Sequence, residues 1–475
     1  GTKSWAFDPS LLRRRLSQRV RSAGKMFAKT RTAHAKYLPR SRSGFGPQVR
    51  RAPALHPAQP RRLAYGNPSV QMKGRKSLEV QWQDGIRTQL HPNWLRERCQ
   101  SDTTVDLSTL QPKNQPHDLP PDLLLETIEM LKEKEAVQIS FNDGHVSEFS
   151  LAALRAEVEG FSGHALQVPT YNRLQPRLWS GKDYRLKVFQ HDEVISDEAT
   201  KFDFIEELLA GGQALVRGVP QEEGEVVRFG QRLSTLRASA WGLFFNVRTK
   251  PDDASLKAGA VGAFKDLAYT PKPIGFHTDN PYRFSAPDYQ LLHAIDHCEC
   301  PEGEAPCEEC SVMNYMVDGF YIAEKLRRED PEAFELMCTV PVRFENNGGD
   351  NSSALVHVAP HFELEEDPTS PHGNRLRAIR FSGKSGQYAP PLSHAKLDAF
   401  YRARRRFSEM LHNGEDTMSL QFRPGDLLIF DNQRLLHARS TIAPTDGERW
   451  VQGCYIDRDG LWLNYERYRR QAGLP

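Results

Sequence analysis

The sequence predicts a mainly β protein with helical insertions, of the α+β class, in which a double-stranded β-helix (jelly roll) follows a small β-rich domain. From Tyr269 onward, short apolar segments alternate with Gly, Pro and Asn, which is typical of the strands and turns of a jelly roll. Two earlier Asp-Gly pairs, at residues 84–85 and 143–144, are hairpin signals. A chain of 475 residues is also long enough for two or three domains.

The first 62 residues differ in charge from the rest of the chain. They contain sixteen Lys or Arg residues and one acidic residue, Asp8, whereas the whole chain has a formal net charge of only +2. An Arg-rich, Ser-bearing and acid-poor segment is typical of a mitochondrial or plastid targeting sequence. A disordered, solvated tail is the alternative. We expect residues 1–70 to be either a targeting-like extension or a strap that binds protein or RNA in a larger assembly.

The small β-rich domain is predicted over residues 71–170. Residues 77–82 alternate as a strand before the first Asp-Gly turn, and residues 139–141 and 146–149 flank the second. Residues 151–158 have the pattern of a helix.

The jelly-roll domain is predicted over residues 171–475. Residues 214–217 have the composition of a buried strand, and Gly211-Gly212 ends the helix before it. The helices that we predict in this domain cover residues 202–210, 222–238, 317–326 and 397–411.

Two histidines and an aspartate form a predicted metal site. His277 and Asp279 are two residues apart on a predicted strand, so both side chains point to one face. His437 follows 160 residues later. Two imidazoles and one carboxylate bind one face of Fe(II) and leave the other face open for a co-substrate and O₂. Arg449 comes twelve residues after His437, and its guanidinium can bind a dicarboxylate through two parallel hydrogen bonds.

The segments around these residues carry a family resemblance. From about residue 75 onward the chain resembles the γ-butyrobetaine dioxygenase and trimethyllysine dioxygenase family, in the wider group of TauD-like oxygenases. The matching segments include residues 91–96 (HPNWLR), 276–282 (FHTDNPY), 430–432 (FDN) and 449–455 (RWVQGCY). The resemblance implies an Fe(II)/2-oxoglutarate-dependent hydroxylase of carnitine biosynthesis that acts on a trimethylammonium substrate.

The resemblance also implies roles for individual residues. Arg449 takes the place of the residue that binds the distal carboxylate of 2-oxoglutarate, and Asn432 and Arg439 flank His437 and are expected to orient it. Aromatic faces attract a trimethylammonium group through cation–π interactions, although ordinary core packing is the alternative for each ring. The family's aromatic cage falls on Trp241, Phe245, Tyr269 and Tyr455.

One segment departs from the family pattern. Where relatives carry an Asn pair that holds polar groups of the substrate, this chain reads Ile-Arg-Phe-Ser-Gly-Lys at residues 379–384. The sequence therefore leaves open whether the substrate is γ-butyrobetaine, trimethyllysine or another small amine or sulfonate.

The cysteines suggest a second metal site and the loss of a third. The second site would be formed by four cysteines that lie close together in one insertion. Four such cysteines suit a structural zinc ion, with disulfides as the alternative.

The third site is the N-terminal zinc site of the family, which has three Cys and one His. Here Cys99 and His145 remain, while Ser101 and Thr104 replace two ligands, so we expect no zinc there. The possible new zinc site lies in an insertion at residues 297–311 and consists of Cys298, Cys300, Cys307 and Cys310.

Two functions follow from the sequence. The first is a dioxygenase of the mitochondrial matrix that hydroxylates a trimethylammonium compound and, by the resemblance, forms a homodimer. The second is a dioxygenase-fold protein recruited as a structural subunit of a large mitochondrial assembly, with or without activity. Its basic extension would contact other subunits or RNA. No apolar run approaches the roughly 20 residues needed to span a bilayer, so we expect no transmembrane segment.

Overall fold

The computed structural model describes residues 68–109, 111–131, 133, 135–160, 174–239, 242–249, 260–261, 264–296, 312–346, 355–367, 370–443 and 449–472. The predicted basic extension, the four cysteines of the 297–311 insertion and Trp241 lie outside these residues. The described residues fall into two compact units, divided between residues 168 and 169.

The first unit contains two three-stranded antiparallel sheets, of strand order β1-β2-β3 and β6-β7-β8. Both predicted hairpins are confirmed. Their turns require glycine, because Gly85 and Gly144 have φ angles of +82° and +83°. The strands are β1 (Ser69–Met72), β2 (Leu78–Gln81), β3 (Arg87–Leu90), β4 (Val105–Asp106), β5 (Gln111–Pro112), β6 (Leu125–Leu131), β7 (Ala136–Phe141) and β8 (Val146–Ser150), and the helices are α1 (Pro92–Glu97) and α2 (Leu151–Gly160).

The second unit is built around a seven-stranded and a four-stranded sheet. The larger has the order β11-β26-β16-β24-β10-β9, with β12 also paired to β26, and the smaller has the order β15-β25-β17-β23. The strands are β9 (Val188–Gln190), β10 (Gln213–Arg217), β11 (Leu236–Arg237), β12 (Phe244–Thr249), β13 (Ala260–Val261), β14 (Phe264–Lys265), β15 (Ile274–His277), β16 (Tyr289–Asp296), β17 (Asn314–Asp318), β18 (Val342–Asn346), β19 (Leu355–Ala359), β20 (Phe362–Glu366), β21 (Asn374–Ile379), β22 (Gly386–Tyr388), β23 (Met418–Leu420), β24 (Leu427–Asp431), β25 (Leu435–Arg439) and β26 (Arg449–Ile456).

The two sheets pack face to face, as the layers of a jelly roll do. One buried cluster joins Leu428 and Phe430 of the larger sheet to Met316 and Leu435 of the smaller sheet. Side chains on alternate positions therefore point between the sheets or away from them. Leu436 and Ala438 point away, into a second cluster, so His437 points inward.

Helices cover the outer face of each sheet. The helices of this unit are α3 (His191–Ser196), α4 (Glu198–Gly211), α5 (Glu225–Leu233), α6 (Gly319–Glu329), α7 (Pro331–Thr339), α8 (His394–Leu411) and α9 (Arg458–Ala472). The outer face of the larger sheet packs against α4, α5 and α9, and that of the smaller sheet packs against α6, α7 and α8. None of the described helices is both long and apolar enough to cross a membrane.

The predicted helices are present, but their bounds differ from the structure. The helices predicted over 202–210 and 397–411 begin earlier, at Glu198 and His394, and the one predicted over 151–158 extends to Gly160. Two other differences have a clear local cause. The helix predicted over 222–238 is shorter, because it begins after Gly224 at φ +83° and gives way to β11. The helix predicted over 317–326 begins two residues later, at Gly319. Its N-cap is Asp318, whose carboxylate accepts hydrogen bonds from the N–H groups of Phe320 and Tyr321.

Candidate iron centre and substrate pocket

The two predicted metal-binding histidines lie opposite each other in one antiparallel strand pair. β15 pairs with β25, and His277 is the direct Cα partner of His437. The centroids of their imidazole rings are 4.0 Å apart. One strand pairing thus joins residues that are 160 positions apart in the sequence.

Asp279 follows β15 and is fixed through its backbone by Asn432. The Asn432 side-chain oxygen accepts from the Asp279 N–H at 2.7 Å, and its amide nitrogen donates to the Asp279 carbonyl at 3.1 Å. The sequence predicted that Asn432 orients His437, whereas in the structure these hydrogen bonds orient the aspartate.

The three side chains can hold one metal ion. His277 Nε2 lies 3.4 Å from Asp279 Oδ1, and His437 Nε2 lies 3.9 Å from Asp279 Oδ2. Ligand atoms bound roughly 2.1 Å from one ion at right angles are about 3 Å apart. In the described part of the chain, this is the one group of three or more His, Cys, Asp or Glu residues close enough to share an ion.

The tautomer of His277 suits metal binding. Its Nδ1 lies 2.9 Å from the Gly275 carbonyl oxygen, which can only accept a hydrogen bond, so Nδ1 carries the proton. The Nε2 lone pair then faces Asp279. A hydrogen bond from the other ring nitrogen to a backbone carbonyl is the usual support of a metal-binding histidine.

Charges around the site keep the ligands in binding form. Burial acts to raise the pKa of Asp279, but neighbouring positive charge, that of Lys384 foremost, outweighs it and holds that pKa well below its usual range. Burial and the neighbouring His277 lower the pKa of His437 well below its ordinary value. The carboxylate is therefore ionised and the His437 ring neutral at neutral pH, as coordination requires.

Arg449 presents an incompletely paired cation to the space between the sheets. Its side chain is 6% exposed, and its Nε has no hydrogen-bond partner among the described residues. Burial and the nearby Arg439 lower its pKa to about 9. A buried guanidinium of this kind is stabilised by an anion that can accept hydrogen bonds from it.

Three of the four predicted cage residues line one small cavity beside the metal site. Phe245, Tyr269 and Tyr455 surround about 30 Å³ together with Asp279 and Lys384. The Tyr455 hydroxyl donates to Asp279 Oδ2 at 3.1 Å, so this ring is tied to the carboxylate. The fourth residue, Trp241, is not among the described residues.

Comparison with known proteins identifies the family. Residues 173–455, more than half of the chain, match the family described as taurine catabolism dioxygenase TauD, TfdA. Residues 70–155 match the family described as gamma-butyrobetaine hydroxylase-like, N-terminal. The chain belongs to the TauD, TfdA family. It is an Fe(II)- and 2-oxoglutarate-dependent dioxygenase, as the resemblance implied.

The curated relatives match over most of their length. Gamma-butyrobetaine dioxygenase of Pseudomonas sp. is 30% identical over 81% of this chain and 91% of its own length. The human gamma-butyrobetaine dioxygenase is 25% identical over 82% of this chain and 93% of its own length. The mitochondrial trimethyllysine dioxygenase of chicken (Gallus gallus) is 26% identical over 79% of this chain and 82% of its own length. Among solved structures, the Fe, alpha-ketoglutarate dependent oxygenase PvcB is 18% identical, and the match covers 52% of this chain and 76% of that structure, with a TM-score of 0.35.

Arg439 has a different partner from the one predicted for this TauD-family site. Its guanidinium donates to the carbonyls of Ala268, Thr270 and Lys272 at 3.0, 2.6 and 2.8 Å. These carbonyls follow or lie within the short 3₁₀ turn that carries Tyr269. Arg439 therefore fixes the segment that presents Tyr269 to the cavity, in place of the predicted contact with His437.

Lys384 is the site residue that the sequence analysis missed. Its Nζ lies 2.8 Å from Asp279 Oδ1 and 3.5 Å from Asp266 Oδ1. Burial acts to lower the pKa of Lys384, but the two carboxylates raise it, so the side chain is a cation. The departure from the family pattern at residues 379–384 was the available signal. A β-bridge between His277 and Ser382 carries that segment to the metal site.

In the first unit, Cys99 and His145 remain close together. Cys99 Sγ lies 3.2 Å from His145 Nε2. Thr104, at a lost ligand position, accepts a hydrogen bond from Arg96 at 2.9 Å. Burial acts to raise the pKa of Cys99, but hydrogen bonds from Ser101 and other neighbours lower it to about 6. The absence of zinc at this position stays a prediction.

Proposed function

We propose that this dioxygenase hydroxylates γ-butyrobetaine or trimethyllysine in carnitine biosynthesis. The observation that carries the proposal is the ligand set of His277, Asp279 and His437 beside a cavity lined by aromatic rings. The names of the relatives support the substrate class, since they include dioxygenases of both compounds.

In this proposal, His277, Asp279 and His437 hold Fe(II). The bound iron supplies the oxidative decarboxylation of 2-oxoglutarate to succinate and CO₂, coupled to hydroxylation of the substrate. The chain contributes the neutral imidazoles, the ionised carboxylate, and the Asn432 hydrogen bonds that keep Asp279 in position.

Arg449 binds the distal carboxylate of 2-oxoglutarate. Support comes from its burial, from the unpaired Nε and from its lowered pKa, each of which an anion would compensate. The planar guanidinium can donate two parallel hydrogen bonds to a carboxylate, which a lysine cannot do.

The aromatic residues receive the trimethylammonium group. Phe245, Tyr269 and Tyr455 line the cavity. Aromatic rings attract a quaternary ammonium ion, which cannot donate hydrogen bonds. Gly453 supports this arrangement, because a Cβ atom there would overlap the Phe245 ring. We include Trp241 in the cage on the family resemblance alone.

We infer a location in the mitochondrial matrix. The Arg-rich, acid-poor composition of the first 62 residues supports it, as do relatives named as mitochondrial. We retain residues 1–70 as the extension, 71–170 as the N-terminal domain and 171–475 as the catalytic domain.

A substrate panel tests the proposal. The full chain with Fe(II) and 2-oxoglutarate is incubated with γ-butyrobetaine, trimethyllysine or taurine, and products heavier by one oxygen atom are sought by mass spectrometry. We expect such a product from one of the first two compounds, and none from the His277→Ala variant. Sulfite released from taurine alone, as expected when the carbon that bears the sulfonate is hydroxylated, would replace the trimethylammonium class with a sulfonate.

A further inference from the structure

Lys384 places a positive charge inside the substrate pocket. The side chain is only 11% exposed, and its Nζ contacts Asp279 Oδ1 at 2.8 Å. It lines the same small cavity as Tyr269 and Tyr455. Burying an ammonium group is unfavourable unless an anion accompanies it. The question is therefore which anion pairs with Lys384 when the metal and the substrate are bound.

The carboxylate that Lys384 contacts belongs to the metal site. Asp279 Oδ1 is also 3.4 Å from His277 Nε2, so the same oxygen faces the position of the ion. A divalent cation there would share Asp279 with the ammonium and repel it, since both are positive and only a few ångströms apart. Metal binding therefore weakens the hold of Asp279 on Lys384.

Asp266 is a second partner of Lys384 and remains one when the ion is bound. Its Oδ1 lies 3.5 Å from Lys384 Nζ. The same oxygen accepts a hydrogen bond from the Ala268 N–H at 2.8 Å, where it caps the short turn that carries Tyr269. The ammonium group has three N–H donors, and Asp266 and Asp279 each contact it through one oxygen, so one donor is left for a further anion.

A second cavity adjoins the first at this lysine. It has a volume of about 170 Å³, and Lys384 and Asp266 line both cavities. Glu345, which is paired with Arg343, and Tyr388 line only the second cavity. Among the residues that line either cavity, Lys384 is the one lysine or arginine. A substrate carboxylate in this space therefore has the Lys384 ammonium as its cationic partner.

We propose that Lys384 binds the carboxylate of the substrate, and so selects zwitterionic trimethylammonium compounds over those that lack a carboxylate. The inference rests on the function proposed above and deepens it. Arg449 serves the carboxylate of the co-substrate, and Lys384 serves that of the substrate.

Binding to the full chain, loaded with Fe(II) and 2-oxoglutarate without oxygen, tests the proposal. Calorimetry compares γ-butyrobetaine and trimethyllysine with their methyl esters, which keep the trimethylammonium group and lose the negative charge. We expect the wild type to prefer the acid of its substrate by about 10- to 100-fold, the range of one charge-assisted hydrogen bond. Lys384→Met should abolish this preference, and Lys384→Arg should retain part of it.

Two controls separate this role from structural ones. Lys396→Met removes an exposed lysine that lines neither cavity and should leave the preference unchanged. Mn(II) binding to Lys384→Met should be as tight as in the wild type or tighter, since a competing cation has been removed from Asp279. Weaker Mn(II) binding would instead assign Lys384 to holding Asp279. A selective loss of 2-oxoglutarate affinity would assign it to the co-substrate.

The outcomes distinguish the two proposals. A wild-type protein that prefers the acid, with the preference intact in Lys384→Met, overturns the role of Lys384 and leaves the proposed function standing. A wild-type protein that binds neither the acids nor the esters overturns the proposed function itself, and the role of Lys384 with it.

Discussion

His277 and His437 are direct partners across β15 and β25, and their ring centroids lie 4.0 Å apart. The relative position of the two imidazoles is therefore set by the strand pairing of a packed sheet. Sites built on sheet strands are held more precisely than sites built on loops. The third ligand, Asp279, lies just beyond the strand and depends on Asn432 for its position.

Asn432→Ala should weaken metal binding without unfolding the protein. The substitution removes both side-chain hydrogen bonds to the Asp279 backbone. Loss of such supporting bonds reduces metal affinity by about 10- to 100-fold. Mn(II) titration of the ligand-free protein measures the effect. Asn464→Ala, which removes one hydrogen bond to the Leu233 carbonyl, is the control and should bind Mn(II) like the wild type.

Arg449→Met should have opposite effects on stability and on co-substrate binding. Removing a buried cation with an unpaired Nε should leave the ligand-free protein as stable or more stable. The affinity for 2-oxoglutarate should fall by at least about tenfold. Thermal unfolding with and without 2-oxoglutarate measures both effects. The exposed Arg405, paired with Glu409, provides a control in Arg405→Met. A normal 2-oxoglutarate response in Arg449→Met would remove Arg449 from the co-substrate site.

Tyr455→Phe should separate the two contacts of this residue. The hydroxyl that donates to Asp279 is lost, while the ring that faces the cavity is kept. We expect weaker Mn(II) binding with little change in substrate affinity, whereas Tyr455→Leu should weaken both. Equal loss of substrate affinity in the two variants would argue against a cation–π role of the ring.

Stability should decrease as the pH falls from 6.5 to 4, in part because of His361. This ring is fully buried, its Nδ1 donates to the Arg380 carbonyl at 2.7 Å, and burial lowers its pKa to about 4. In the unfolded chain, His361 has a pKa of about 6.5, so between pH 6.5 and 4 the unfolded state binds a proton that the folded state does not bind. The free energy of unfolding is therefore highest above pH 6.5 and decreases as the pH falls through this window. The contribution is at most about 3 kcal/mol.

Urea unfolding at pH 7 and pH 5 measures this dependence. His361→Gln should be less stable than the wild type at pH 7 but lose less stability on acidification. His372→Gln, at an exposed position, should retain the wild-type pH dependence. An unchanged dependence in His361→Gln would show that other groups account for it.

The sequence predicted those turns and helices that depend on residues close together in the chain. The Asp-Gly hairpins were predictable because Gly85 and Gly144 occupy turn positions with positive φ. The helix predicted over 317–326 began too early because hydrophobic periodicity does not distinguish the end of β17 from the first turn of the helix. The Asp318 cap does mark that boundary.

Long-range contacts explain what the sequence did not reveal about the site. Residue types and spacing, together with the family resemblance, predicted the set of His277, Asp279 and His437. They did not predict the partners of Asn432 and Arg439, which depend on how separate segments meet. Lys384 reaches Asp279 only because a β-bridge joins His277 to Ser382, more than 100 residues away. The departure from the family pattern at residues 379–384 marked this segment, but it did not show that the lysine contacts Asp279.

The most direct test of the central claim is the ratio of hydroxylated product to succinate formed by the full chain with Fe(II), 2-oxoglutarate and O₂. With γ-butyrobetaine or trimethyllysine, we expect a ratio close to one, and neither product nor substrate-stimulated succinate from the His437→Ala variant. Succinate formation that neither compound stimulates, or that persists in His437→Ala, would contradict the assignment of this site.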